Sequence, residues 1–277
     1  MGILPILIGW PLLIAAIVPL IKQERIRGYV VYAGAGGVMV LATALLGMWL
    51  TNGAQAMAFY QETEWVNYLM IAGELFLTGL IVYLSIKYRK YPVILLSVGQ
   101  TALGIWTEFR FPMQPACHMQ IDSLSMLMCM IAAFIGGLIC IYAVGYMKAY
   151  HQHHKEFQDR SGFFFSMLFL FLAAMFGLVL SENLIWMYFF WEVTSVISFL
   201  LIGYTRTEEA VNNSFRALWM NLVGGFGFAI AIAVAAATLG TVQLEAVVQT
   251  GAVIPVALLA LAGLTKSAQL PFSSWLL

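Results

Sequence analysis

Charge is what this chain of 277 residues has least of: 9% of its residues are Asp, Glu, Lys or Arg, against 62% that are hydrophobic. A soluble domain of that length could not cover its own surface with so few polar side chains. The formal net charge is zero, which excludes the basic footprint of a nucleic-acid-binding protein. Cysteine is scarce too: Cys117, Cys129 and Cys140 show no CxxC spacing and read as small apolar residues. No Gly-rich phosphate loop, nucleophile elbow or zinc motif occurs, so no redox, hydrolytic or metal centre is expected in the chain itself. The opening run MGILPILIGWPLLIAAIVPLI lacks a basic n-region and an A-x-A cleavage site. It is read as a retained first helix rather than a signal peptide.

What the chain does have is long apolar runs. A membrane span needs about 20 apolar residues, and nine candidates lie at about 3–21, 28–50, 66–86, 91–108, 122–147, 162–180, 183–204, 217–239 and 252–276. The fold class this implies is an all-α polytopic membrane protein, with no room for a soluble domain between spans. The basic residues then set an orientation. Lys22, Arg25, Arg27, Lys87, Arg89, Lys90, Lys148, Lys155, Arg160, Arg206 and Arg216 all follow odd-numbered spans, whereas Arg110 alone follows an even-numbered one. Because Lys and Arg accumulate in cytoplasmic loops, the N-terminus is expected outside, in a plasma membrane.

Three charges interrupt the apolar runs: Glu74, Glu192 and Lys266. A charge at the bilayer centre costs about 3 kcal/mol on insertion scales, so it normally faces a partner or a water-filled path. Lys266 lies roughly 20 Å along its helix, too deep for easy snorkelling to the interface. Gly263 and Gln269 are expected to share its face. Pro271 has no N–H and would displace the carbonyl of Ser267, which predicts a kinked or unwound helix beside the lysine. A buried lysine holds its proton beside a carboxylate and yields it more readily without one. Glu192, in FFWEVTSVISFLLIGY, has Tyr188 one turn back and Ser195 one turn on. The competing account of both residues is a structural buried ion pair, rarely a net stabiliser. Glu74 has Thr78 one turn on and no partner that the sequence names, so ion handling and local hydrogen bonding stay open for it.

Other polar features read more plainly. Asn221, Gly224, Gly225 and Gly227 sit among alanines, and small residues let membrane helices approach closely. Asp122, before Ser123 and Ser125, is a good helix N-cap, and His118 reads as interfacial. The HQHH cluster of His151, His153 and His154 lies among Lys155, Glu156, Asp159 and Arg160 without a spaced fourth ligand, which suits a solvated loop better than a metal site.

The stretches IDSLSMLM, SENLIWMYFFWEVTSVISFLLIGY and GLTKSAQLPFSSWLL resemble the antiporter-like membrane subunits of complex I (NADH–quinone oxidoreductase). That family also includes large subunits of multisubunit cation/proton antiporters and membrane-bound hydrogenases. Order, spacing and orientation agree over residues 119–277. The resemblance implies that Glu192 is the glutamate paired with the lysine of a broken helix, that Lys266 is that lysine, and that Asp122 is an acid of the same proton path. It implies a proton- or Na⁺-translocating subunit of a complex I-like redox-driven pump, with flavin and iron–sulfur clusters in partner subunits and none in this chain. The alternatives are a subunit of a multisubunit Na⁺/H⁺ antiporter or of a membrane-bound hydrogenase complex. Expected partners are other membrane subunits, the transported ion and lipid. The pattern also departs from the family. Residues 66–108 look like a two-helix insertion within an N-terminal region 1–118, and residues 119–277 look like the first of the family's inverted repeats. The run stops just after Trp275 inside an apolar segment, as in a fragment of a longer protein. Leu222 and Gly225 stand where some relatives place Arg and Asp.

Overall fold

A computed structural model gives the structure of the chain over residues 3–59, 64–111 and 117–275. Among the described residues ten α-helices follow in order: α1 (Ile3–Ile17), α2 (Glu24–Thr51), α3 (Glu64–Lys87), α4 (Tyr91–Arg110), α5 (Ser123–His153), α6 (Ser161–Leu180), α7 (Leu184–Ile202), α8 (Glu208–Leu239), α9 (Leu244–Gln249) and α10 (Val253–Lys266). Strands β1 (Met57–Phe59) and β2 (Met119–Ile121) pair as a two-stranded sheet. By length and composition, seven helices among the described residues can cross a membrane: α1 with its 3₁₀ extension to Leu20, α2, α3, α5, α6, α7 and α8. The 20-residue α4 and the 14-residue α10 are not among them. The fold is an all-α polytopic membrane bundle. Large apolar side chains such as Val40, Phe76, Leu95 and Tyr142 stay exposed on the helices, as lipid-facing surfaces do.

Several boundaries differ from those read off hydropathy. α2 begins at Glu24 and α8 at Glu208, so Arg25, Arg27 and Arg216 lie inside helices rather than in loops. α5 runs on to His153, which puts His151 and His153 in its last turn rather than in a solvated loop. His151 there faces Asp159 at 3.4 Å, and His154 faces Glu156 at 3.1 Å. Hydropathy misses polar ends because a helix needs only backbone hydrogen bonds and a cap to continue into water. The six-residue α9 precedes the last run, and Leu276, at that run's end, lies outside the described residues.

The helices form two compact units, Met1–Ala58 with Gln120–Leu180 and Phe59–Met119 with Ser181–Leu277. In the first, α1 packs on α2 and α6, and α5 on α2 and α6. α5 starts with a capping box: the Asp122 carboxylate accepts from the Ser125 N–H at 2.7 Å, and Ser125 Oγ accepts from the Asp122 N–H at 2.7 Å. The expected cap is therefore present. Asp122→Ala removes it, and since N-cap losses cost about 1 kcal/mol, a small drop in melting temperature is expected that Asp122→Ser restores. An unchanged melting temperature in the alanine variant would assign the capping energy elsewhere.

In the second unit α8 is the hub, packed by α4, α7 and α10, while α3 leans on α4 and α7. α7 is capped by Asn183, whose Oδ1 accepts from the Ile185 N–H at 2.9 Å. α8 is capped by Thr207 and closes on Gly240, at φ 65°. Glu182 is buried and ties α9 down, its Oε1 accepting from the Glu245 N–H at 2.8 Å. α10 stops at Lys266. Ala268 turns into the left-handed region at φ 52°, and the Ser267 and Gln269 amides close the last turn on the carbonyls of Gly263 and Leu264. Of the kinking or unwinding expected ahead of Pro271, the structure shows unwinding: α10 ends at Lys266 and a 3₁₀ turn follows at Ser273–Trp275.

Candidate functional site

The stop at Lys266 leaves its long side chain at the end of a helix, free to lean across onto α7. Nζ donates to Ser195 Oγ at 2.7 Å and to the Trp191 carbonyl at 3.4 Å, and it lies 5.3 Å from the centroid of the Trp191 ring. Ser195 uses its hydroxyl both ways, accepting from the lysine while donating to the Trp191 carbonyl at 3.0 Å. Hydroxyl, carbonyl and indole face together form a seat for a cation.

Glu192 lies one turn before Ser195 on the same helix, buried at 5% exposure. Its Oε1 accepts from Tyr188 Oη at 2.9 Å and from Gln100 Nε2 of α4. The direct Glu192–Lys266 ion pair expected from sequence is not made: the ammonium sits on Ser195, and the carboxylate on Tyr188 and Gln100. The physical reason is local. Tyr188 and Gln100 draw the carboxylate towards one side of α7, while Ser195 captures the ammonium one turn away.

α8 brings these groups close. A Cβ on Gly224 would stand 1.9 Å from Thr265 Oγ1, and one on Gly225 would stand 2.9 Å from Gln100 Oε1 and 3.7 Å from Glu192 Oε1. The two glycines let α10 and α4 approach α8 closely, which is the close packing read from the sequence. Asn221, one turn earlier, is buried and bonds the Ala217 carbonyl through Nδ2 at 3.0 Å.

The remaining sequence-derived residues fall as follows. Glu74, on α3, belongs to the same unit as Glu192 and Lys266, with its Oε1 buried and without a hydrogen-bond partner. Thr78, expected beside it, bonds Thr101 of α4 instead, at 2.6 Å. Asp122 belongs to the other unit, exposed and engaged in its own cap. Gly263 has open space beside it and Ser267 Oγ donates to the Gly263 carbonyl at 2.7 Å. Gln269 does not share a helix face with Lys266, because α10 has ended and the Gln269 side chain is exposed. His118 stacks on Trp186 with centroids 4.5 Å apart, and partial burial lowers its pKa below the usual histidine value.

Sequence reasoning missed Gln100, Trp191 and Glu108. The signal for the first and last was available: Ser97, Gln100, Thr101, Gly104, Thr107 and Glu108 recur at helical spacing and mark one polar face of α4. Trp191 gave no such signal, because it acts through its carbonyl and ring face.

Two family profiles match the chain. Residues 181–277 match the family described as NADH:quinone oxidoreductase/Mrp antiporter, transmembrane, and residues 106–157 match the N-terminus of NADH-ubiquinone oxidoreductase (complex I) chain 5. Over these residues the chain is similar to the antiporter-like subunits. Glu192, Lys266 and the break before Pro271 all lie inside the first match. Among curated relatives of this chain, Na(+)/H(+) antiporter subunit A1 of Staphylococcus haemolyticus is 36% identical over 165 residues, 56% of this chain and 20% of its own length. Its counterpart in Staphylococcus aureus is 31% identical over the same length. The chain thus spans about a fifth of those relatives. Among solved structures, an archaeal membrane-bound sulfane sulfur reductase aligns over 99% of this chain and 47% of its own with a TM-score of 0.66 at 14% identity. The Mrp complex of Dietzia sp. DQ12-45-1b aligns over 99% of this chain and 24% of its own with a TM-score of 0.63 at 23% identity. At those identities the likeness is one of fold.

Proposed function

We propose that this antiporter-like subunit translocates protons, or Na⁺, within a multisubunit membrane complex of the complex I type, using Glu192 and Lys266 as its switching pair. The observation that carries this reading is the seat of Lys266. Its ammonium rests on Ser195 and the Trp191 carbonyl rather than on the carboxylate one turn away. A half-buried cation with two acceptors in reach along one helix can change partner by moving its own side chain. With the ammonium on Glu192 the pair is neutralised in place; with the ammonium on Ser195, Glu192 relies on Tyr188 and Gln100. Each arrangement holds a proton differently, so a displacement in a neighbouring subunit that favours one drives ion movement. Asp122, at the head of α5, is proposed as a further proton carrier on family position. The arginine and lysine distribution supports an N-terminus outside a plasma membrane.

The driving force is the finer question. A redox-coupled pump places flavin and iron–sulfur clusters in partner subunits. The second reading, an antiporter run by ion gradients alone, is favoured by the curated relatives named as Na(+)/H(+) antiporter subunits. The test is the whole complex, purified in mild detergent and assayed for flavin, iron and nickel, then reconstituted into vesicles to follow ion flux. Lys266→Ala is expected to abolish flux in a complex that still assembles. Flux at the wild-type rate would remove Lys266 from the mechanism.

A further inference from the structure

The α3–α4 hairpin, read from sequence as an insertion, presents its polar face to Glu192, and the proposal above uses none of its acids. Ser97, Gln100, Thr101 and Thr107 are buried on α4 at 0%, 0%, 4% and 1% exposure. Buried polar groups need partners, and two of these residues, Ser97 and Gln100, each have an oxygen without one. The buried oxygens Glu74 Oε1, Ser97 Oγ and Gln100 Oε1 make no hydrogen bond. Gln100 is the link: its Nε2 donates to Glu192, while its wholly buried Oε1 is left without a donor. A Cβ at Gly104 would stand 3.4 Å from Glu74 Oε1, so the small residue between Gln100 and Glu108 leaves the carboxylate lying against α4. Glu74 is also close enough to Glu192 on α7 and Glu108 on α4 to feel the charge of both, and Tyr188 on α7 feels Glu74 in turn.

Direction follows from position along the helices. Glu108 lies in the last turn of α4, near Arg110. Glu74 is ten residues into α3, and Glu192 is eight residues into α7. These acids therefore descend from the α4 C-terminal end towards the middle of the bundle. Orphaned buried oxygens of this kind are the groups that water binds, typically with about three hydrogen bonds per molecule.

We propose that Glu74 is a proton-carrying carboxylate that exchanges with Glu192 along the Gln100–Thr101 face of α4, giving the subunit a branch that opens at Glu108. The step rests on the Glu192–Lys266 reading. The O–H bond of the Glu74 carboxylic acid breaks, its proton passes through hydrogen-bonded water, and an O–H bond forms on the Glu192 carboxylate. Nothing is oxidised or reduced, and Glu74 is left as the anion for Glu108 to reload. The titratable groups facing Glu74 are Glu108, Glu192 and Tyr188.

The test has two arms on the full complex. In the wild type, dicyclohexylcarbodiimide, which attacks protonated carboxyls in apolar surroundings, should form an adduct on the Glu74 peptide by mass spectrometry; no adduct there overturns the proposal. In vesicles, Glu74→Gln is expected to slow proton flux roughly tenfold or more, as loss of a positioned proton donor does, and Glu74→Asp to recover part of it. Wild-type flux in Glu74→Gln beside a dead Lys266→Ala overturns the branch alone. Wild-type flux in both overturns the switching pair as well.

Discussion

Glu192→Ala and Glu192→Gln should both stop ion flux, and only the first should weaken the fold. In the native protein Glu192 Oε1 satisfies two buried donors, Tyr188 Oη and Gln100 Nε2. Alanine leaves both unmade, and an orphaned buried donor costs about 1–3 kcal/mol. Against a typical stability of about 5–15 kcal/mol that is a large fraction, and it falls at the contact between α7 and α4. Glutamine keeps an oxygen for the same donors while losing the capacity to carry a proton. The expected result is a melting temperature near wild type for Glu192→Gln, a clear drop for Glu192→Ala, and no flux from either in reconstituted vesicles. Wild-type flux in Glu192→Gln would strip Glu192 of a proton-carrying role and leave it a structural acceptor.

Gly224→Ala is the second large effect, and its sign depends on which of two terms wins. Alanine favours a helix over glycine by about 1 kcal/mol. Here, however, the new Cβ would lie 1.9 Å from Thr265 Oγ1 and 3.4 Å from the Ala262 Cα. Thr265 has a stiff branched side chain, is wholly buried, and donates to the Ala262 carbonyl at 2.8 Å. Neither it nor the α10 backbone yields without losing contacts, and overpacking costs about 1–3 kcal/mol. The steric term wins. α10 should move off α8 and carry Lys266, the next residue after Thr265, away from Ser195. Gly224→Ala is therefore expected to lower both melting temperature and flux, and adding Thr265→Ala to recover most of each. Additive losses in the double variant would show that this contact does not place α10.

The legible parts of the molecule were those set by one segment alone. A proline five residues beyond a lysine interrupts a helix whatever surrounds it, and Asp122 with Ser125 makes a cap from four consecutive residues. Mid-run charges were equally visible, because apolar context makes Glu74, Glu192 and Lys266 conspicuous. Partner choice was not legible. Whether Lys266 reaches Glu192 or Ser195 depends on how α10 is rotated and how far it extends, and the stop at Ser267 sets both. The Thr78–Thr101 bond likewise required knowing that α3 and α4 face each other there. Gln100 shows the mixed case: its polar stripe was readable, but its role appeared only once α4 was seen packed beside α7 and α8. The six-residue α9 is too short to carry a helical period, and hydropathy cannot find it.

The hairpin that supplies Glu74 and Gln100 also has a place in time. α3 and α4 are complete at Arg110, whereas their neighbours α7 and α8 begin at Leu184 and Glu208. At the usual synthesis rate of about 5–20 residues per second, the hairpin is complete several seconds before either neighbour exists. During that wait the Thr78–Thr101 bond is a polar contact it can make by itself, holding two helices together while a carboxyl and an amide remain uncovered. Glu192 follows, and Lys266 comes after α8 and α9. The site thus gains its acids first and its base last.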